Sequence, residues 1–316
     1  MLAISIDRLF TMTWLALVLA LLLEQFRPIS RSNPFYAGYR GFAEVVERNF
    51  NGGEYQHGVV GWAIAVATPT ALTLLVWGGL YLVHPVAAWV FSIAVLYVTM
   101  GFRQFSASFT GIAEALKEGQ LDDARALLAN WTREPASELD ENELARLAIE
   151  QGLIDAYRHV FGPLFWFVIL GPAGAVAYRA ATILQLKWGA RDRKRGEQFG
   201  VFADRAADVV DWLPIRATAA SFAVVGDFED AVYCWRQQAE QWASEAYGIL
   251  LAAGAGAIGV RLGMPLHQEH TVRYRPELGL GEDADGNMLA SAVGLVWRTL
   301  LFWLALILLV TATAIF

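Results

Sequence analysis

Hydrophobic positions in this chain fall into long unbroken blocks rather than into alternation. One block covers residues 9–26, with Met12–Leu23 as its core; the others are Val59–Val83, Val86–Phe102 and Leu295–Phe316. A hydrocarbon core of about 30 Å needs roughly 20 apolar residues per helix, so the four read as membrane spans, the first and third near the lower limit. Only His84-Pro85 separates the second from the third, which predicts a tight transmembrane hairpin. The first block runs into Glu24 and Arg27 with no small-residue cleavage motif, so it reads as a retained anchor rather than a signal peptide.

Between the third and fourth blocks the pattern changes. Ser106–Gly119, Leu121–Trp131 and Leu139–His159 read as amphipathic helices, with Gly119-Gln120 as a joint and Ser137 as a candidate N-cap. Residues 199–225 are mildly apolar and carry Arg205, Asp208, Asp211 and Arg216. The stretch "AYGILLAAGAGAIGV" at 246–260 is rich in small residues, which let helices approach closely, so it predicts a buried packing helix. Residues 263–290 have loop composition. "GQLDDA" at 119–124 echoes "GDFEDA" at 226–231, and both read as helix N-termini with acids in the first turn. The organisation expected is N-terminal transmembrane helices over 1–103, a helical core over 104–290 and a C-terminal transmembrane helix over 291–316.

One apolar stretch does not fit a simple span. "GPLFWFVILGPAGAVAYR" at 162–179 is interrupted by Gly171-Pro172-Ala173-Gly174. Arg27, Arg31, Arg40 and Arg48 place the loop after the first block in the cytoplasm, and the next two spans return the chain there. A further crossing over 162–187 would put the basic run "RDRKR" at 191–195 outside. Breaking the stretch into two half-helices lets it enter and leave on one side. Irregular backbone at membrane depth is tolerated only where protein or water covers it, so the hairpin must pack inside a bundle. A kinked spanning helix is the other reading. The fold class expected is an all-α polytopic membrane protein with a broken, re-entrant helix core and a cytoplasmic helical portion, in the bacterial inner membrane.

Composition agrees. The 316 residues are 56% hydrophobic and 17% charged, against about a quarter charged in soluble chains. Twelve Trp suit membrane interfaces. A net charge of −7 argues against nucleic acid as a partner. The single Cys234 excludes an intramolecular disulfide and any multi-Cys metal site; it reads as helix packing.

Several small motifs carry little chemistry. His267 and His270 flank Glu269, but no third and fourth metal ligands follow at suitable spacing. "DADGN" at 283–287 lacks the later Glu of a calcium loop and reads as a polar turn. His159, just before the apolar hairpin, reads as a satisfied interfacial histidine, with a base as the other reading. No phosphate-binding loop or dinucleotide fingerprint is present. No metal site is expected.

"LARLAIEQGLIDAYRHVFGPLFWFVILGPAGAVAYRA", "FGVFADRAADVVDWLPIRA" and "AGAGAIGVRLG" resemble the integral membrane family that contains the cobinamide-phosphate synthases (CobD/CbiB) and the AmpE proteins. The resemblance covers roughly residues 105–265. It implies, for the synthases, joining of an amino-alcohol phosphate to a corrinoid carboxylate with a nucleotide and Mg²⁺, and for AmpE an accessory role in β-lactamase induction. The synthase pattern has Glu-Asn and then Asp before "PLFW"; here those places hold Ile154, Asp155 and Arg158. Thr182 and Gln185 stand where the synthases carry Asn and Asp, an Arg-Asp-Thr signature is reduced to "NWTRE" at 130–134, and paired acids after Arg205 are Ala207 and Asp208. "VVDWLPIRA" followed by "VVGDFEDAVYCW" is closer to AmpE. The resulting expectation is an AmpE-like, non-catalytic signalling protein that binds an anionic or phosphate-bearing envelope-related ligand, with a diverged synthase-type ligase as the alternative. The candidate ligand residues are Glu150, Asp155, Arg205, Asp208, Arg216 and Arg261, with the arginines in apolar surroundings holding phosphate. Each Arg alone reads as a structural ion-pair residue. No cofactor is expected unless the ligase reading holds, which would bring Mg²⁺ and nucleotide. The partners expected are the bilayer, a phosphorylated amphiphile and a second copy of the chain.

Overall fold

A computed structural model describes residues 6–27, 34–195, 197–268 and 271–315. Arg31, Glu269 and His270, and the side chains of Arg193, Lys194 and Arg195, lie outside the described residues. The helices run in the order α1 (Ile6–Phe26), α2 (Pro34–Phe50), α3 (Tyr55–Val83), α4 (Pro85–Thr99), α5 (Phe102–Lys117), α6 (Leu121–Thr132) and α7 (Glu141–Ala156). Then follow α8 (Gly162–Leu184), α9 (Ala190–Arg195), α10 (Val201–Val225), α11 (Phe228–Gln238), α12 (Glu245–Ile258) and α13 (Gly286–Ile315). Short strands β1 (Val260–Gly263), β2 (Leu266–Gln268), β3 (Thr271–Arg273), β4 (Glu277–Leu278) and β5 (Glu282–Asp283) occupy the stretch expected to be loop. The chain is an all-α polytopic membrane protein. Among the described residues three helical stretches are long and apolar enough to cross a membrane: Tyr55–Val83, Glu141–Asp192 and Gly286–Thr313.

The middle one is not a straight rod. Gly171 has φ 66° and ψ −156°, a conformation essentially confined to glycine, and Pro172 follows it. The chain reverses there. A Cβ on Gly174 would lie 2.3 Å from the Trp166 carbonyl oxygen, and one on Gly162 2.2 Å from the Tyr178 ring. Residues as far apart in sequence as Gly162 and Tyr178 would be about 24 Å apart along a straight helix. α8 is therefore a helical hairpin whose limbs touch through glycines, and π-helical turns at Tyr157–Phe161 and Gln185–Gly189 flank it.

The chain packs as two units, each assembled from non-contiguous segments: residues 1–101, 158–213 and 307–316 form one, and 102–157 with 214–306 the other. In the first, the hairpin packs against α1, α2, α3 and α4. Its core holds Val46 of α2, Val66 of α3, Leu184 of α8 and the fully buried Trp188 and Phe199, whose rings meet edge-on at 5.0 Å. The α3–α4 turn follows from His84, whose Nδ1 accepts from the Val86 N–H at 3.2 Å, and from Pro85 at the first position of α4. The hairpin mouth is polar. Arg179 donates to Tyr36 Oη (2.9 Å) and to the Arg158 carbonyl (3.4 Å), and its Nη2 lies 2.7 Å from His159 Nδ1. Arginine only donates, so Nδ1 accepts and the neutral ring carries its proton on Nε2. His159 is thus a satisfied residue pinning the two limbs together. Lys187 pairs with Glu44 at 2.6 Å, and Arg191 with Glu47 and Asp192, tying α2 to the segment after the hairpin.

In the second unit α12 is the centre. Every residue from Gly248 to Ala257 is buried, as its small side chains predict, and α11 and α7 pack on it. Gly259 caps it in the left-handed region and the chain turns into β1, which pairs antiparallel with β4 and parallel with β5. β2 and β3 form a separate antiparallel pair with His267 opposite Val272. The N-cap of α7 is Asp140 rather than Ser137. Asp140 Oδ1 accepts from the Glu143 N–H at 2.8 Å and Glu143 Oε2 from the Asp140 N–H at 3.0 Å, a reciprocal arrangement that Ser137 is too early in the chain to make. "DADGN" is the polar turn expected: Asp285 accepts the N–H groups of Asn287 and Met288, each at 2.8 Å, at the start of α13. α10 continues through Pro214.

Candidate functional site

The polar chemistry of the second unit gathers on α7. Glu143, Arg146 and Glu150 follow one another at i, i+3 and i+7, so they share one helix face, and all three are buried. That face meets the strands. Glu150 accepts Arg275 bidentately, Oε2 from Nη1 at 2.6 Å and Oε1 from Nη2 at 3.1 Å, and Oε1 also accepts the Gly263 N–H at 2.9 Å. Arg275 Nη2 and Arg146 Nη1 donate to the Gly263 carbonyl at 2.8 and 3.3 Å, and Arg275 Nε donates to Met264 O at 3.3 Å. The guanidinium also lies 5.4 Å from the Trp242 ring centroid. Met264 has φ 63°, unusual for a side-chain-bearing residue, so this network holds a strained turn at Gly263-Met264. Glu143 closes the row: its Oε1 lies 2.7 Å from His267 Nδ1 and accepts the His267 N–H at 3.1 Å.

Beside Glu150 lies a pocket of about 130 Å³, lined by Leu128, Thr132, Glu134, Glu150, Gln151 and Ile154 among others. It joins the α7 residues ahead of "PLFW", part of the family resemblance, to "NWTRE", one of the departures from the synthase pattern. Next to it Asp155, 5% exposed, accepts Trp131 Nε1 at 2.9 Å through Oδ2 and Gln151 Nε2 at 2.9 Å through Oδ1.

The six predicted site residues are distributed as follows. Glu150 and Asp155 lie on α7 as described. Arg216 pairs with Glu245 at 3.1 Å, and Arg261 with Asp283 at 2.9 Å and Glu277 at 3.9 Å. In the other unit Arg205 and Asp208 are exposed on α10, and the Arg205 guanidinium sits 5.3 Å over the Tyr55 ring. The expectation that these arginines are enclosed by apolar residues is corrected, because each lies on an accessible face and has an acid or an aromatic ring as its neighbour. The residue missed is Arg275. Spacing carried no signal for it: extended backbone puts residues two apart on one face, yet Arg273 is exposed while Arg275 turns inward.

A resident Mg²⁺ prefers near-octahedral oxygens from carboxylates, phosphates and water. Glu150 and Asp155 already spend their oxygens on Arg275, Gly263, Trp131 and Gln151, and among the described residues no group of three or more acidic, imidazole or thiol side chains stands ready to hold a metal. The residues present do not fit a resident Mg²⁺. Cys234 is buried on α11, which pushes its thiol up to about 11 and keeps it unreactive.

The fold and pocket define a class: a polytopic helical membrane protein with a broken-helix core and a polar pocket walled by a buried ion-pair network. The chain belongs to the CobD/Cbib protein family, which matches it over residues 13–296. It is 37% identical over 282 residues to the cobalamin biosynthesis protein CobD of Stutzerimonas stutzeri, covering 88% of this chain and 91% of that one. It is 38% identical over 214 residues to the protein of the same name from Chromobacterium violaceum, 68% of each chain, and 30% identical over 213 residues to that of Photorhabdus laumondii, 65% of each. No solved structure matches it. These relatives overturn the AmpE-like, signalling expectation. That expectation weighed a few polar positions, whereas the similarity to cobalamin biosynthesis proteins runs through nearly the whole chain, apolar hairpin and packing helices included.

Proposed function

We propose that this protein acts in cobalamin biosynthesis as a cobinamide-phosphate synthase-type enzyme of the bacterial cytoplasmic membrane, forming an amide between an amino-alcohol phosphate and a corrinoid carboxylate. The single observation that carries the reading is the 37% identity over 88% of the chain to a relative named for that pathway. In the reaction the amine nitrogen bonds the carboxyl carbon, and one carboxylate oxygen leaves on a phosphoryl group supplied by a nucleotide. The pocket beside Glu150 suits the amine end: Glu134 gives its wall an acidic side chain, Thr132 and Gln151 add polar groups, and Leu128 and Ile154 give it an apolar side. The Arg275 fork holds Glu150 in place. The donor set argues that any Mg²⁺ comes with the nucleotide phosphates rather than as a resident ion.

Complementation of a bacterial strain lacking its own synthase tests this. Growth on the corrinoid precursor, lost in Glu150→Gln while the variant still accumulates in the membrane, is the expected outcome. Failure of the wild-type protein to restore growth, with the protein present in the membrane, rejects the reading.

A further inference from the structure

The hairpin of α8 has a geometry with a consequence for the bilayer. Its first limb, Gly162–Leu170, has nine residues, about 13 Å at 1.5 Å per residue. The nearest charged residues in sequence are Arg158 before it and Arg179 after it, and these two meet at the mouth through the Arg179 hydrogen bond to the Arg158 carbonyl. Residues 160–178 between them contain no charged side chain. With the charged mouth at the membrane surface, the turn at Gly171 reaches about half of a 30 Å hydrocarbon core. The protein therefore leaves the other half of that column unfilled by the hairpin itself.

At the apex, in the same unit, lies a cleft of about 340 Å³ lined by Thr13 of α1, Leu74 and Trp77 of α3 and the turn residues Phe167–Ala173. Its rim is apolar and open: Leu74, Ile169 and Leu170 are each more than half exposed, and so are Leu72 and Leu75 on the neighbouring face of α3. α3 has 29 residues, enough to cross the bilayer, so what meets this face is lipid. Among the described residues no charged side chain lines the cleft, so its described lining offers no counter-charge to a headgroup or an ionic substrate.

We propose that the apex cleft is a lipid site: the acyl chain of a bilayer phospholipid inserts beneath the re-entrant turn, against Trp77, Leu74 and Leu170, and forms the wall that the half-depth hairpin lacks. A single resident chain there differs from ordinary annular lipid in being held under the turn and in outlasting detergent extraction.

The test uses the full-length protein reconstituted in phosphatidylcholine vesicles whose acyl chains are brominated either near the headgroup or near the terminal methyl. Bromine quenches indole emission on contact, and the Trp77 contribution is read as the difference between wild type and Trp77→Phe. The expected result is that Trp77 emission is lost mainly with the deeply brominated lipid and is insensitive to aqueous iodide. Quenching by iodide, or by shallow bromine in preference to deep, overturns the proposal, since the cleft is then water-filled or lies at the surface. Native mass spectrometry of detergent-extracted protein supplies a second measurement. Wild type should retain phospholipid, and Ile169→Trp, which fills the cleft from its exposed rim, should lose it. Equal retention by both overturns the proposal whatever the quenching shows.

Discussion

Arg275→Met removes the fork that holds Glu150 and leaves a buried carboxylate to which the Gly263 N–H still donates. The side chains of the pair are only 11% and 6% exposed, so the attraction is little screened. Breaking one side of a buried ion pair costs about 3–5 kcal/mol, much of it the penalty of the orphaned charge. A domain of 150–250 residues shifts by about 2–4 °C per kcal/mol, so the unit should melt roughly 6–20 °C lower. Arg275→Lys keeps the charge but has one point donor for an oxygen pair and two carbonyls, so it should lose about 1.5–3 kcal/mol, one charge-assisted hydrogen bond or more. In the double variant Glu150→Gln/Arg275→Met the orphaned charge is gone, and the losses should fall short of additivity by about 0.5–3 kcal/mol. Thermal unfolding of detergent-purified protein, followed by circular dichroism, reads all three. If Arg275→Met melts within about 0.5 kcal/mol of wild type, as a neutral surface change would, or if the double variant is strictly additive, the network does not hold the Gly263-Met264 turn and the reasoning fails.

Three further expectations can be checked directly. Glu197→Cys, just beyond the hairpin, should resist an impermeant maleimide added to intact cells and react after lysis, while buried Cys234 gives little background; ready labelling from outside means that the hairpin crosses. Gly174→Val should lower the folded yield sharply while Gly78→Val, at a glycine with nothing within 4 Å of its added Cβ, should not, because a side chain at Gly174 collides with the backbone of Trp166; equal yields disprove contact between the limbs. The hydrogen bond to Glu143, reinforced by its charge, raises the His267 pKa above the usual value of 6.5. A raised folded value stabilises the protonated form, so the clamp between β2 and α7 is fully present below about pH 6.5 and lost as pH rises through the folded value; titration of the His267 ring by NMR should show this, and a midpoint at or below the free value, or no change on Glu143→Gln, refutes it.

The sequence alone determined the membrane class, because burial in hydrocarbon demands long apolar blocks whatever the neighbours are, and residues 59–83 and 295–316 satisfy that demand locally. It also determined where α8 breaks: Gly171-Pro172 cannot continue a helix, and the basic residues beyond it argued for a return to the same side. The buried role of α12 was legible for a similar reason, since a run of Ala and Gly fits only where helices meet closely. The partners of charged groups were not legible. Glu150 meets Arg275 across 125 residues and His267 meets Glu143 across 124, and an ion pair carries no periodicity that announces its other half. Nor did spacing reveal that Arg216 and Arg261 face Glu245 and Asp283, because an arginine looks the same in sequence whether it waits for a ligand or already holds a carboxylate. Those pairings depend on how α7, α12 and the short strands pack, and packing is decided by the whole folded chain rather than by any stretch of it.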